Sequence, residues 1–259
     1  MIKTKNNSVF IRQFVLFITI ILVASCASKK YEVYKIEGKK IGVTTTIEPN
    51  EELERFVLPY RTHITKDLDS VLAYCPEILD KSKGEWQTNI GNFMADVCLK
   101  NGSYVFNLKH KKTADICLLN NGGIRSIIPK GNVTARTAFE VMPFENNLFI
   151  IALKGHQIEE MANHIILEKK PHPLAGMKFH INKEKKASNI TVQGSPLDLE
   201  KIYYVATSDY LSNGGDNMTF FMNNSGSFDL DYKIRNVLID YFKEVDTIIA
   251  SPEIRIIVD

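Results

Sequence analysis

Three turns carry side chains suited to a ligand that is flat, hydroxylated and anionic. The first is the run Leu118 to Arg125, LLNNGGIR, which ends on a permanent cation. The planar guanidinium of Arg125 offers a fork of donors that suits a phosphate or a carboxylate. Just before it, Gly122 and Gly123 let a backbone take φ > 0 and approach a neighbour closely, so a strand can end there in a crevice-lining turn. The second turn, Pro143 to Asn147, presents Phe144 and Asn146, and the third, Asp209 to Asp216, presents Tyr210 and Asp216. If the two loop rings line one cleft, they clamp a flat ligand such as a nucleobase, with stacking worth roughly 1–3 kcal/mol per face. The Asp216 carboxylate, an acceptor only, can take two hydrogen bonds from a vicinal diol, and the Asn146 amide offers both donor and acceptor to a base edge. Base, sugar and phosphate thus each have a partner, and a nucleotide is the ligand these residues fit.

The elements that must position these turns follow from hydrophobic period. Ala114 to Leu119 has the length and branching of a buried strand leading into the first turn, and Leu148 to Leu153 is a second apolar run leading out of the second. Ile202 to Thr207 is a strand ending at the third turn. Met177 to Ile181 and Ala187 to Val192 read as strands around the charged tip Lys183-Glu184-Lys185-Lys186, and Glu253 to Val258 as a terminal strand. Helical spacing joins Leu53, Phe56, Val57, Tyr60, Ile64, Leu68, Val71 and Leu72, with Pro59 expected to kink or divide that helix. Thr88 or Asn89 caps a helix through Ile90, Phe93, Met94 and Val97, preceded by Trp86, which is expected in the core. Ala135 to Val141 is a short helix or mixed segment, and Gly131-Asn132 before it a turn. A helix carries Ile158, Met161, Ala162 and Ile165, and the last one carries Ile234, Val237, Leu238, Tyr241 and Phe242. Residues 35–48 read as an extended piece. Interleaved elements of unequal length predict an α+β fold, one domain with a mixed β-sheet and helices packed on it.

The chain has 259 residues, 44% of them hydrophobic and 24% charged, which fits a globular class without disordered tracts. Its first segment has the form of a signal: Lys3, Lys5 and Arg12, then an apolar stretch from Phe14 to Val23. Val23-Ala24-Ser25-Cys26 resembles the lipobox of bacterial lipoproteins. The resemblance implies removal of residues 1–25, a lipid on Cys26, a tether over 26–44 and a domain over 45–259, placing the protein in the cell envelope, anchored to a membrane and facing the periplasm or the surface. An uncleaved anchor helix is the competing reading, with an apolar run short for a bilayer. Residues 1–25 carry three basic and no acidic residues, so the formal charge of +2 becomes −1 without them. No basic stripe remains to bind nucleic acid. Cys75, Cys98 and Cys117 are an odd set without CxxC spacing. They support neither a disulfide scaffold nor a zinc site, and core packing is expected for at least one.

NNGGIR, then PFxN, then YxVATSDYLxxGGD, in this order and spacing, resemble the C-terminal domain of the 5'-nucleotidase family, from the helix near Asn50 through TNIGNFMADV to the closing EIRIIV. The resemblance implies a substrate-binding domain that accompanies a dinuclear-metal phosphoesterase domain. It assigns base stacking to Phe144 and Tyr210, the phosphate side to Arg125, and base and ribose contacts to Asn146 and Asp216. Two departures stand out. Where some relatives place arginines that assist Arg125, this chain has Asp80-Lys81-Ser82-Lys83-Gly84, and Lys81 or Lys83 can replace them only as point charges. None of His63, His110, His156, His164, His172 and His180 lies in the D-x-H or G-N-H patterns that hold the family's metals, although His156 and His164 share a helix face. No catalytic residue and no cofactor are therefore expected in this chain, and two divalent metal ions are expected in a partner phosphoesterase. The expected function is the nucleotide-binding half of a split 5'-nucleotidase. A non-catalytic envelope lipoprotein that captures nucleosides or nucleotides is the alternative. A structural protein with a decayed pocket is disfavoured by the intact set Arg125, Phe144, Asn146, Tyr210 and Asp216.

Overall fold

The computed structural model describes residues 7–24, 32–44 and 46–259, which fall into two units, 1–51 and 52–259. In the first, α1 covers Asn7–Ala24, and residues 32–44 contain neither helix nor strand. Cys26 and the expected cleavage point lie outside the described residues. Among the described residues no helix is long and apolar enough to cross a membrane.

The second unit starts within α2 (Glu51–Asp69) and continues with β1 (Val71–Cys75), α3 (Asn89–His110), β2 (Ile116–Leu118), β3 (Gly131–Thr134) and α4 (Ala135–Val141). Then come β4 (Asn147–Lys154), α5 (Gly155–Glu168), β5 (Leu174–Ala175), β6 (Met177–Ile181), β7 (Ala187–Val192) and β8 (Ser195–Pro196). The chain closes with β9 (Ile202–Ser208), α6 (Asp209–Ser212), β10 (Gly226–Lys233), α7 (Ile234–Glu244) and β11 (Ile256–Val258). The fold is α+β with mixed sheets, as the sequence predicts.

Five strands form the main sheet in the order β10-β4-β9-β2-β5. Both of its faces are covered, which is why 116–119 and 148–153 read as unbroken apolar runs rather than alternating ones. Ile116 and Leu118 join a core with Ile158, Met161 and Ile165 of α5, whereas Cys117 and Leu119 join Phe93 and Met94 of α3 and Val237 and Leu238 of α7. Ile151 and Leu153 alternate with Leu148 and Ile150 between the same two cores. A second sheet, β11-β6-β7-β8, adds Phe179, Ile181 and Ile256 to the α5 side. Cys75, Cys98 and Cys117 are buried as free thiols in the α3 core. Trp86 is half-buried against the other.

Register decides where the three turns go. β2 runs parallel to β9, with Ile116 opposite Val205 and Cys117 opposite Ala206, so both strands end at the same sheet edge. The Thr207 hydroxyl donates to the Leu118 carbonyl at 2.8 Å and ties those two ends together. β4 is antiparallel to β9, with Leu148 opposite Ser208, so β4 begins where β9 ends. The turns after β2, before β4 and after β9 must therefore open side by side.

Several details differ from expectation. Val71 and Leu72 belong to β1, not to the preceding helix; Ala73 and Cys75 are buried on either side of the exposed Tyr74, the period of a strand, and an irregularity in the pairing with β3 between Val71 and Ala73 leaves Val71 exposed. Helix α2 runs through Pro59 without a break, and none of its side chains is buried. Gly131 and Asn132 start β3, which pairs with β1 with Cys75 opposite Gly131. Residues 35–44 form no strand. Strand β10, absent from the expected elements, carries the alternation of a half-buried strand, with Phe228, Leu230 and Tyr232 turned one way and the exposed Asp229 and Asp231 the other. Thr88 caps α3, its hydroxyl accepting from the Gly91 amide at 3.0 Å.

The connection from α5 to β5 braces the first turn from behind. Leu119 donates its amide to the Pro173 carbonyl at 2.9 Å, and Asn121 donates its amide to His172 Nδ1 at 3.3 Å. His172 is 2% exposed, and accepting through Nδ1 leaves its proton on Nε2. Burial, helped by His164 and Lys170 and opposed by Asp216 and Glu168, lowers its pKa to about 4. The native state then binds fewer protons than the unfolded chain between that value and the ordinary pKa of about 6.5. The stability His172 contributes is complete above the unfolded value and is lost as pH falls through this window, by on the order of 3 kcal/mol. Urea denaturation of His172→Gln at several pH values should show a shallower loss of stability between neutral and mildly acid pH than the parent protein. Equal slopes would mean that another group titrates there.

Candidate functional site

The turn after β2 is a single 3-10 turn, Asn121–Gly123, with Arg125 just beyond it. Gly122 and Gly123 do not take the positive φ that the sequence suggested, since neither is among the left-handed glycines. Smallness is what the position requires at Gly123: a Cβ there would meet Asn120 Oδ1 at 2.9 Å and Met142 Cε at 3.5 Å. Arg125 anchors its backbone amide on the Val141 carbonyl at 2.9 Å. Its exposed guanidinium donates weakly to the Gly122 carbonyl at 3.4 Å and lies 5.8 Å from the centre of the Phe144 ring. Lys81 does not stand beside it as a second free cation. Its ammonium donates to the carbonyls of Ile124 at 2.6 Å and Asn121 at 3.4 Å, pinning the turn. Lys83 instead lines a separate depression with Glu77 and Lys130.

The loop between α4 and β4 presents Phe144. Arg235, at the start of α7 and 7% exposed, fixes this loop by pairing with Glu145 and donating to the Pro143 carbonyl at 3.5 Å. Arg235 also stacks over Phe139 at 4.0 Å, and Lys233 donates to the Glu145 carbonyl at 2.6 Å. Asn146 is half-buried, and its carbonyl accepts from the Ile234 amide at 3.0 Å. Two cations thus hold the backbone on which Phe144 and Asn146 stand.

The third turn is built on Ser208, which caps α6 by accepting from the Leu211 amide at 3.1 Å. Asp209 reaches across to accept from the Asn147 amide at 3.2 Å, so the two aromatic-bearing loops are tied directly. The glycines have distinct duties here. Gly214 takes φ +83°, and Gly215 lets the Tyr210 ring lie against the backbone, where a Cβ would meet ring carbons at 2.5 and 2.6 Å. Asp216 sits at φ 50° and ψ 34°, a left-handed conformation that aspartate adopts more readily than most residues. Its two carboxylate oxygens accept from the Tyr210 hydroxyl at 2.9 Å and the Asn120 amide at 2.8 Å.

These turns enclose a cavity of about 320 Å³ lined by Gly122, Gly123, Arg125, Phe144, Asn146, Tyr210 and Asp216, with Asn120 and Ser208 among the remaining wall residues. Its size falls at the lower end of small-molecule sites. An adjoining open depression of about 680 Å³ shares Phe144, Asn146 and Tyr210. The seven residues assigned to ligand contact from the sequence therefore border one cleft, and neither Lys81 nor Lys83 is among its lining residues. Both rings keep a large free surface, 42% for Phe144 and 47% for Tyr210, which a packed core ring would not. Asn120 and Ser208 were not singled out beforehand. The sequence holds two adjacent asparagines in the turn, and nothing local says that the Asn120 side chain bonds Asp216 while Asn121 meets the brace through its backbone amide. Apolar floor residues Leu119, Met142 and Ile234 were readable only as core.

Among the described residues, no three His, Cys, Asp or Glu side chains gather into a group able to hold a metal ion. His156 is exposed, and His164 lies edge-on to Phe220 with ring centres 5.6 Å apart. The donor set among these residues does not fit the pair of ions that the resemblance implies.

Residues 74–223 match the family model described as the 5'-nucleotidase C-terminal domain. An apyrase of Tabanus yao is 27% identical over 190 residues, covering 65% of this chain and 34% of that protein. Protein UshA of Yersinia enterocolitica is 26% identical over 196 residues, covering 72% and 34%. A 5'-nucleotidase precursor from Thermus thermophilus has a similar structure, with a TM-score of 0.67 at 25% identity over 81% of this chain and 44% of that one. The chain spans about a third of the length of these curated relatives. Motif order, mixed-sheet topology and the span of the match agree, and the chain belongs to the 5'-nucleotidase C-terminal domain family.

Proposed function

We propose that this chain is the nucleotide-binding half of a split 5'-nucleotidase, whose dinuclear-metal phosphoesterase domain is a separate chain. The observation that supports the reading is the single cleft bordered by Phe144, Tyr210, Arg125, Asn146 and Asp216. The base lies between the rings, with Asn146 at its edge. Asp216 accepts from the sugar hydroxyls, and Arg125 meets the phosphate. In this arrangement the present chain binds and orients the nucleotide and projects its phosphate outward. Metal ions bound by the other chain would supply the activated water and stabilise the leaving oxygen. Family membership and the similarity to an apyrase and to UshA support a role in nucleotide catabolism.

A lipid anchor at the cell envelope completes the proposal, on the strength of the basic and apolar leader and the sequence before Cys26. Intact mass of the membrane-extracted protein should show residues 1–25 missing and an acylated Cys26. An unmodified, full-length mass would overturn the anchoring.

Purified mature chain, incubated with AMP and Mn²⁺ or Mg²⁺, should release no phosphate alone and should accelerate release when a phosphoesterase chain from the same cell is added. Turnover by this chain alone would contradict the division of labour. Nucleotide binding without turnover in any mixture would favour the capture lipoprotein. Calorimetric titration with AMP tests the clamp: Phe144→Ala and Tyr210→Ala should each lose on the order of 1–3 kcal/mol of binding. Unchanged affinity in both variants would remove base stacking from the account.

A further inference from the structure

The Tyr210 side chain has two ends, and stacking explains only one. Its hydroxyl donates to Asp216 Oδ1 at 2.9 Å and accepts from the Asp216 amide at 3.2 Å, so that one oxygen grips both the side chain and the backbone of the same residue. On the other carboxylate oxygen, the Asn120 side-chain amide donates to Asp216 Oδ2 at 2.8 Å. The carboxylate is thus held at both oxygens before any ligand arrives. A phenylalanine would stack as well but could not do this.

The consequence concerns how hydroxyls are read. An ionised carboxylate has about four lone-pair directions. Two are committed to Tyr210 and Asn120, which leaves acceptor capacity on a residue that borders the cavity beside them. A carboxylate fixed in advance loses little rotamer freedom when it accepts from two adjacent hydroxyls, so that preorganisation appears as affinity. The left-handed backbone of Asp216 is kept in place by the same tyrosine oxygen, and Gly215 supplies the room for the ring to reach it.

We propose that the Tyr210 hydroxyl and the Asn120 amide are positioning groups that preset Asp216 and thereby make the site selective for ligands with a vicinal diol. The proposal rests on the nucleotide-binding reading given above and adds to it the source of sugar selectivity. Its prediction is a difference between two ligands rather than a general loss. Tyr210→Phe keeps the ring and its stacking face while removing both hydrogen bonds of the hydroxyl.

Calorimetric titrations of the parent protein, Tyr210→Phe and Asn120→Ala with adenosine and with 2',3'-dideoxyadenosine test it. The parent protein should prefer adenosine. Tyr210→Phe should bind adenosine roughly tenfold more weakly, the size expected when hydrogen bonds to a charged group are lost. Its affinity for dideoxyadenosine should stay within about twofold of the parent. Asn120→Ala should weaken adenosine selectively in the same way. Equal losses for both nucleosides, or no loss for either, would overturn the positioning role while leaving nucleotide binding intact. A parent protein that binds both nucleosides equally would overturn the diol readout. Failure of the parent to bind either nucleoside or AMP would instead sink the nucleotide-binding reading itself.

Discussion

The cleft depends on one constraint, the registers of β2 and β4 on β9. A parallel neighbour must end where β9 ends, and an antiparallel neighbour must begin there. The pairs Cys117 with Ala206 and Leu148 with Ser208 therefore put three loops at one sheet edge, whatever those loops contain. A slip of one residue would exchange the two faces of a strand that is buried on both, sending Ile116 and Leu118 into the space of Cys117 and Leu119. Tight packing on both sides makes that slip costly, and the position of the site inherits the precision of the core.

Around this edge, most charges serve the architecture before any is offered to a ligand. Arg235 and Lys233 hold the Phe144 loop, Lys81 holds the carbonyls of the NNGGIR turn, and Asp209 joins the two aromatic loops. Arg125 remains exposed at the mouth with only a weak bond to Gly122. The same pattern recurs farther off, where Arg255, 2% exposed, reaches both oxygens of Asp96 at 2.6 and 2.7 Å and also donates to the Leu174 and Asn92 carbonyls. That pair explains two sequence segments with no place in the cleft: Asp96 lies in TNIGNFMADV and Arg255 in EIRIIV. Together they fasten the terminal strand to α3. Burial pushes the Asp96 carboxyl upward, and the Arg255 guanidinium, donating to both oxygens through Nη2, opposes it.

The Tyr210 ring and the Asp216 carboxylate hold one another, and the Phe144 loop is held separately. Tyr210 lies against Gly215 and bonds to Asp216, while Phe144 stands on a loop buttressed by a buried arginine. Elements with few free rotamers lose little entropy when a ligand enters, which is how a cleft of about 320 Å³ with few polar groups can be selective.

By itself the sequence determined the buried strands of the main sheet, the helices with strong apolar stripes and all the ring, guanidinium and carboxylate groups of the cleft, because hydrophobic period and turn chemistry are local. It misplaced Val71 and Leu72, whose apolar spacing fits either a helix end or a strand until β3 is there to pair with. It assigned positive φ to Gly122 and Gly123; neither takes it, and at Gly123 a side chain would instead crowd Asn120. Only the tertiary structure decided that Lys81 braces a turn instead of meeting a ligand, that Asn120 rather than Asn121 bonds Asp216, and that the Tyr210 hydroxyl turns back onto the carboxylate. Each of those facts depends on which distant segments share a sheet edge, and pairing between segments far apart in the chain leaves no periodic mark on either one.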